Sequence, residues 1–227
     1  MHPALPVIAQ IARTDVERLS PTVTLNQLGL NTSLGLSVLR SGLNRKFGCS
    51  LAALSWQLTI AELLVAIDGN TTPEALKFKT GNLAKGREVM SGPFGGRRRV
   101  VPTQALPFHG IDIEDLAGMP QWPPTEDGQS FYAEHFTAAE LARAAEQPNP
   151  RATLCGTWCA KEAVKKCAPE LKSLDWRKIE IVAASDGHPE VRLTAPDAGT
   201  AWEFSLSISH SAVSAAASVL ALRREGG

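Results

Sequence analysis

Apolar residues recur at helical spacing from Leu5 to about Ile67, with Pro21 and Gly29 as breaks, and this predicts a small helical bundle over residues 1–69. The periodicity then stops. The stretch DGNTTPEALKFKTGNLAKGREVMSGPFGGRRRVVPTQALP is rich in Gly, Thr, Pro, Lys and Arg, and reads as a linker over 70–107 with a short helix near 73–78. Beyond Phe108 the pattern changes again. A strand is expected over 110–116, then an irregular Pro-rich stretch, then a helix opened by Thr137 with Glu140 three residues on, the signature of a capping box. A helix over 156–167 follows. KIEIVAA and PEVRLTA alternate in polarity about Ser185-Asp186-Gly187-His188, which predicts a hairpin, and EFSLSISHSAVSAAASVLAL closes the chain as buried strands. The order describes an α+β domain over 108–224 with antiparallel strands, not a repeated βαβ unit. No glycine-rich nucleotide loop is visible.

Composition narrows the function classes. The 227 residues are 44% apolar, enough for a real core or two small ones. Lys plus Arg (23) balance Asp plus Glu (23), so no global field points to nucleic acid or to an anionic membrane, and anion binding must be local. No apolar stretch approaches membrane-spanning length. Cys49, Cys155, Cys159 and Cys167 lack metal-finger or CxxC spacing, so a cytoplasmic protein with reduced thiols is expected. Cys155 and Cys159 would share a helical face continued by Ala163, as small core groups.

Candidate chemistry lies in three places. In a strand over 110–116, Ile111 and Ile113 would face the core and Asp112 and Glu114 would emerge together on the opposite side. In the helix over 156–167, Glu162 stacks over Lys166 one turn away. Three carboxylates make a partial shell for Mg²⁺, which takes its remaining ligands from water and phosphate; Lys166, with Lys161 as a second candidate, could meet the phosphate charge. The same groups read as a solvated strand face and an ordinary ion pair, and spacing alone favours that reading. In SLSISHS, Ser207, Ser209 and Ser211 lie on one side and His210 on the other, and a single histidine near a strand end is commonly a core or capping residue.

Taken in order, GIDIEDL, FYAEHFTAAEL, EQPNPRATLCGTWCAKEAVKK, KIEIV, DGHPEVRL and SISHS resemble the 4′-phosphopantetheinyl transferases. The order is similar to that of the holo-acyl-carrier-protein synthase branch, and most of all to the transferase domain at the C-terminus of the fungal fatty acid synthase alpha subunit. The resemblance covers about half of the chain. It implies an Mg²⁺-dependent transfer of phosphopantetheine from coenzyme A to a serine of an acyl carrier protein in a fatty acid or polyketide pathway, with 3′,5′-ADP leaving. On that resemblance Asp112 and Glu162 match metal positions, and Glu114 matches an additional acidic one. Lys166 matches a phosphate contact, and Ser209 and His210 match an element near coenzyme A. A homotrimer is implied in the same way. A non-catalytic module that only binds coenzyme A is the competing reading.

Near the front, TLNQLGLNTSLGLSVLRSGLNRKFG resembles the serine-bearing region of acyl carrier proteins. Taking Ser33 as the serine puts Leu34, Leu39, Leu43 and Phe47 at the apolar positions, whereas Thr32 would put Gly42 and Lys46 there. Ser33 could be an attachment site, the bundle could be a carrier-like relic, or it could dock other carriers. Asn31 and Thr32 stand where such carriers have one Asp, and this favours a carrier-like domain unmodified at Ser33. Gly95-Gly96-Arg97-Arg98-Arg99 reads as solvated linker.

Overall fold

The structure, a computed structural model, describes residues 2–52, 54–69, 107–194 and 201–224. The expected short helix near 73–78 and the arginines 97–99 lie outside the described residues, as does all of the expected linker but Pro107.

Three helices form the front of the chain: α1 (Leu5–Ala12), α2 (Ser33–Phe47) and α3 (Ile60–Ile67). Each has a local reason for its ends. Pro6 sits in the first turn of α1, where its missing N–H costs nothing, and Arg13 in the left-handed region (φ 53°) stops it. The Thr32 side chain caps α2 by accepting from the Gly35 N–H, and Thr59 with Glu62 forms a capping box on α3. Ile8, Leu25, Leu39, Leu43, Ile60 and Leu63 make the core between them.

The remainder runs β1 (Phe108–Asp115), α4 (Glu126–His135), α5 (Ala138–Ala145), α6 (Pro150–Cys167), the short α7 (Pro169–Lys172), β2 (Ile179–Ala183), β3 (Pro189–Leu193), β4 (Trp202–His210) and β5 (Ser214–Arg223). It is α+β, with antiparallel strands in a sheet ordered β1-β5-β4 and in a separate β2-β3 hairpin. The hairpin turns at Gly187 (φ 85°), and the Thr137/Glu140 capping box opens α5. Two elements differ from expectation. α4 occupies part of the stretch read as irregular, and α6 begins at Pro150, not at residue 156, with Asn149 accepting from the Ala152 N–H as its cap.

Helix α6 lies against the sheet on a stripe of small side chains, Cys155, Cys159, Ala163 and Cys167, spaced one turn apart. Their thiols point at the carbonyls of Glu114, Ala215 and Val219, and all four cysteines are free. The approach is tightest at Gly110, where an added Cβ would lie 1.9 Å from the Ala163 carbonyl oxygen. A glycine inside a strand often marks such a close backbone approach.

This packing reverses the expected faces of β1. Ile111 and Ile113 are 61% and 68% exposed, while Asp112 and Glu114 are 6% and 5% exposed and turn toward α6. The alternation is as read, but the helix covers the acidic side.

Helix α2 belongs to both parts. Leu39 and Leu43 enter the front core, whereas Leu34 is wholly buried in the second core with Val38 packed against it. Polar contacts fix the same docking. The Ser41 hydroxyl donates to Glu134 Oε2 at 2.8 Å, and Arg40 lies 3.5 Å from the same oxygen and donates to His135 Nε2 at 3.4 Å. From α1's end, Arg13 donates to the Ala117 carbonyl at 2.5 Å.

Candidate active site

The reversed face of β1 builds the site. Asp112 and Glu114 point into the seam beneath α6, and α6 presents Glu162 and, one turn on, Lys166. Lys166 Nζ donates to Asp112 Oδ1 at 2.6 Å. The close ion pair therefore joins the two elements. Asp112 Oδ2 is buried and has no hydrogen-bond partner among the described residues. An orphaned carboxylate oxygen inside a protein carries the full desolvation cost unless a cation or donor meets it.

Electrostatically, Asp112 acts on both of the other acids. Burial raises the Glu162 carboxyl above its ordinary range and the charge of Asp112 adds to the effect, partly countered by Lys166. Burial likewise raises Glu114, against the opposing hydrogen bond from the Leu34 N–H, with Asp112 again adding to the rise. Burial pulls Lys166 down, but its hydrogen bond to Asp112 and the charges of Asp112, Glu162 and Glu114 outweigh this and hold the ammonium above its usual value. Two acids that protonate too easily beside a lysine that holds its proton describe a pocket short of positive charge.

Of the expected shell of three carboxylates, Asp112 and Glu114 face the seam from β1 and Glu162 from α6. Among the described residues no three His, Cys, Asp or Glu side chains are gathered as a metal centre. Glu114 Oε1 accepts from the Ser33 hydroxyl at 3.2 Å and from the Leu34 N–H at 3.3 Å, so it also caps the start of α2. Asp112, with its unpaired oxygen, and Glu162 remain. Two carboxylates with room for water and phosphate oxygens suit a hard divalent cation such as Mg²⁺.

Lys161 is corrected as a phosphate contact. It is wholly buried, paired with Glu140 Oε2 at 2.8 Å and donating to the carbonyls of His135 at 2.9 Å and Trp176 at 3.1 Å, so its three donors are spent. Glu140 meanwhile accepts from the Ile181 and Thr137 N–H groups. The pair ties α5, α6 and the hairpin together.

Ser209 and His210 lie apart from the acids. His210 lines a cavity of about 250 Å³ with Arg143, Gly156 and Ile208, while Asp112, Glu114 and Lys166 line another of about 420 Å³, and the two share no residue. Ser209 is exposed on the sheet's outer face, away from α6. The 420 Å³ cavity does meet a larger groove of about 1010 Å³ along α6 and α7, which is lined by Glu162, Arg40, Lys172 and Trp176. Ser33 and Lys166 line both. The contribution of α2 to this place is the part that sequence reasoning missed, and the Ser33 alignment was the one signal that could have found it.

A family model for the 4′-phosphopantetheinyl transferase superfamily matches residues 109–219. The chain is 35% identical over 113 residues to the holo-[acyl-carrier-protein] synthase of Chlorobaculum tepidum, covering 49% of this chain and 94% of that protein. It is also 35% identical over 123 residues to the fatty acid synthase subunit alpha of Aspergillus oryzae, covering 51% of this chain and 7% of that protein. A solved ACPS-CoA complex from Chronobacterium ammoniagenes aligns with 52% of this chain and 98% of its own, at 22% identity and a TM-score of 0.45. With more than a third of positions identical across nearly the full length of a synthase, and with the family's own model matched from His109 to Val219, the chain belongs to the 4′-phosphopantetheinyl transferase superfamily.

Proposed function

We propose that the chain moves the 4′-phosphopantetheine group from coenzyme A to a serine hydroxyl of an acyl carrier protein, in the cytoplasm and in a fatty acid or polyketide pathway, releasing 3′,5′-ADP. The observation that carries this reading is the seam between β1 and α6, where Asp112, Glu162 and Lys166 meet and one Asp112 oxygen is left buried without a partner. Phosphoryl transfer asks a protein mainly for positioning and charge neutralisation. Asp112 and Glu162 would hold Mg²⁺, which when bound supplies positive charge to the diphosphate. Lys166, held in its charged form, opens onto both cavities and would stabilise the departing nucleotide. A carboxylate of the cluster takes the serine proton.

The division into a carrier-like front (1–69), a linker (70–107) and a transferase domain (108–224) belongs to the same proposal. So does self-association as a homotrimer. Ile111, Ile113, Leu220 and Leu222 are exposed on the outer sheet face that also carries Ser209. Copies meeting there would bring Ser209 to coenzyme A held by a neighbour, while His210 faces the α6 side of β4.

Conversion of an apo carrier protein to its holo form, followed by intact mass, tests the activity. Asp112→Ala and Glu162→Ala should each abolish it; parent-like rates in both variants would refute the metal assignment, whereas no conversion by the parent chain would favour a module that only binds coenzyme A.

A further inference from the structure

We infer that Ser33 of this same chain is a phosphopantetheine acceptor, loaded in cis at the seam between β1 and α6. The inference rests on the transferase reading above and goes beyond it by naming an internal substrate. It departs from the sequence expectation of an unmodified serine.

The placement of the hydroxyl carries it. Ser33 Oγ donates to Glu114 Oε1 at 3.2 Å, and the next backbone N–H donates to the same oxygen at 3.3 Å, so a carboxylate oxygen holds the residue from two sides. Glu162 lines the groove onto which the same hydroxyl opens. Ser33 lines both the acidic cavity and the longer groove, at the point where they meet beside Lys166. Its neighbour Thr32 caps the helix by accepting from the Gly35 N–H.

A serine on a loosely attached helix could reach such a place by chance, but α2 is built in. Leu34 is wholly buried in the transferase core, Val38 packs beside it, and Ser41 and Arg40 bond to Glu134 and His135 of α4. Holding nucleophile, base and cation in one chain removes the encounter step that a separate carrier must make. In the reaction, an electron pair on Ser33 Oγ forms a bond to the β-phosphorus of coenzyme A. The bond from that phosphorus to the oxygen of the adenosine-bearing phosphate breaks, and 3′,5′-ADP leaves with the electron pair. The Ser33 proton passes to Glu114, and Lys166 faces the charge that departs.

The full chain, prepared without coenzyme A bound, is incubated with coenzyme A and Mg²⁺ alone, and in a parallel arm with an added apo carrier protein. Intact mass should show the gain of one phosphopantetheine per chain, fragment mass should place it on Ser33, and Ser33→Ala should abolish it. The half-time should not change when the protein is diluted. The fragment assignment is made on the parent chain and does not depend on the variant folding. Conversion of the added carrier with no gain on the chain would overturn this inference while leaving the transferase reading intact. No gain on either would overturn both. A gain at another residue, or a half-time that lengthens in proportion to dilution, would overturn the loading of Ser33 in cis.

Discussion

Replacing Gly110 with alanine tests whether the strand and helix meet as closely as the site requires. The new Cβ would stand 1.9 Å from the Ala163 carbonyl oxygen and 2.8 Å from its carbon, where ordinary contact begins at 3.4 Å. The shortfall is about 1.5 Å, and the obstacle is backbone in the middle of α6, which no rotamer change can move. Strand and helix must part by roughly that distance. Overpacking usually costs about 1–3 kcal/mol, and a backbone obstacle puts Gly110→Ala near the top of that range. For a chain of this size about 3 kcal/mol lowers Tm by roughly 6–12 °C. Parting β1 from α6 also stretches the 2.6 Å contact between Lys166 and Asp112 beyond hydrogen-bond length. A misplacement of about 1 Å can cost roughly 10²-fold in rate. Thermal melting followed by circular dichroism, and the apo-to-holo assay run well below the variant's Tm, measure the two losses separately. Gly156→Ala is the comparison: its Cβ would meet only a side-chain methyl of Ile208, at 2.9 Å, and no backbone, so its loss should be smaller. Parent-like Tm and rate in Gly110→Ala would refute the described seam.

Two further outcomes follow from groups outside the seam. Glu140→Gln leaves the wholly buried Lys161 ammonium without its counter-charge and should cost about 3–5 kcal/mol in urea unfolding, part of it recovered in the double variant with Lys161→Met; a single variant as stable as the parent would refute the structural role given to Lys161. Burial lowers the His135 imidazole to about 3, with Arg40 and Lys161 nearby adding to the drop, against an ordinary value of 6.5. The unfolded chain therefore binds the proton that the folded chain refuses, so stability is full above about pH 6.5 and falls as pH drops toward 3. At 1.36 kcal/mol per unit the loss between about pH 7 and pH 5 is roughly 2 kcal/mol. Urea unfolding at the two pH values should show it, and His135→Gln should flatten it; the same loss in the variant would exclude His135 as its source.

What could be read from the sequence was local. The capping box on α5 needs only Thr137 and Glu140, and the hairpin only alternation and a glycine able to take positive φ, so both were legible. The alternation in β1 correctly paired Asp112 with Glu114 and Ile111 with Ile113. It could not say which pair is covered, because that depends on α6, which lies about fifty residues away along the chain. The usual rule that isoleucine goes inward and carboxylates outward then gave the wrong side. Gly110 held the missing information, since a glycine within a strand marks the side that something approaches closely. Lys161 misled in another way. It sits beside Glu162 in sequence but about 100° round the helix, and its true partners, Glu140 and the carbonyls of His135 and Trp176, come from three other places.

The docking of α2 was legible only in part for a related reason. Periodicity places Leu34, Leu39 and Leu43 on an apolar helix and suggests one core, yet Leu34 enters the second core and the other two enter the first. A helix with two apolar flanks is a bridge, and its N-terminal residues are fixed by both sides at once. That has a consequence for the acids. Glu114 is shielded from water in part by the Ser33 and Leu34 groups that it binds, so residues of the front segment complete the acidic pocket. A separate carrier that brought its serine to that oxygen would have to displace the Ser33 and Leu34 groups that already hold it.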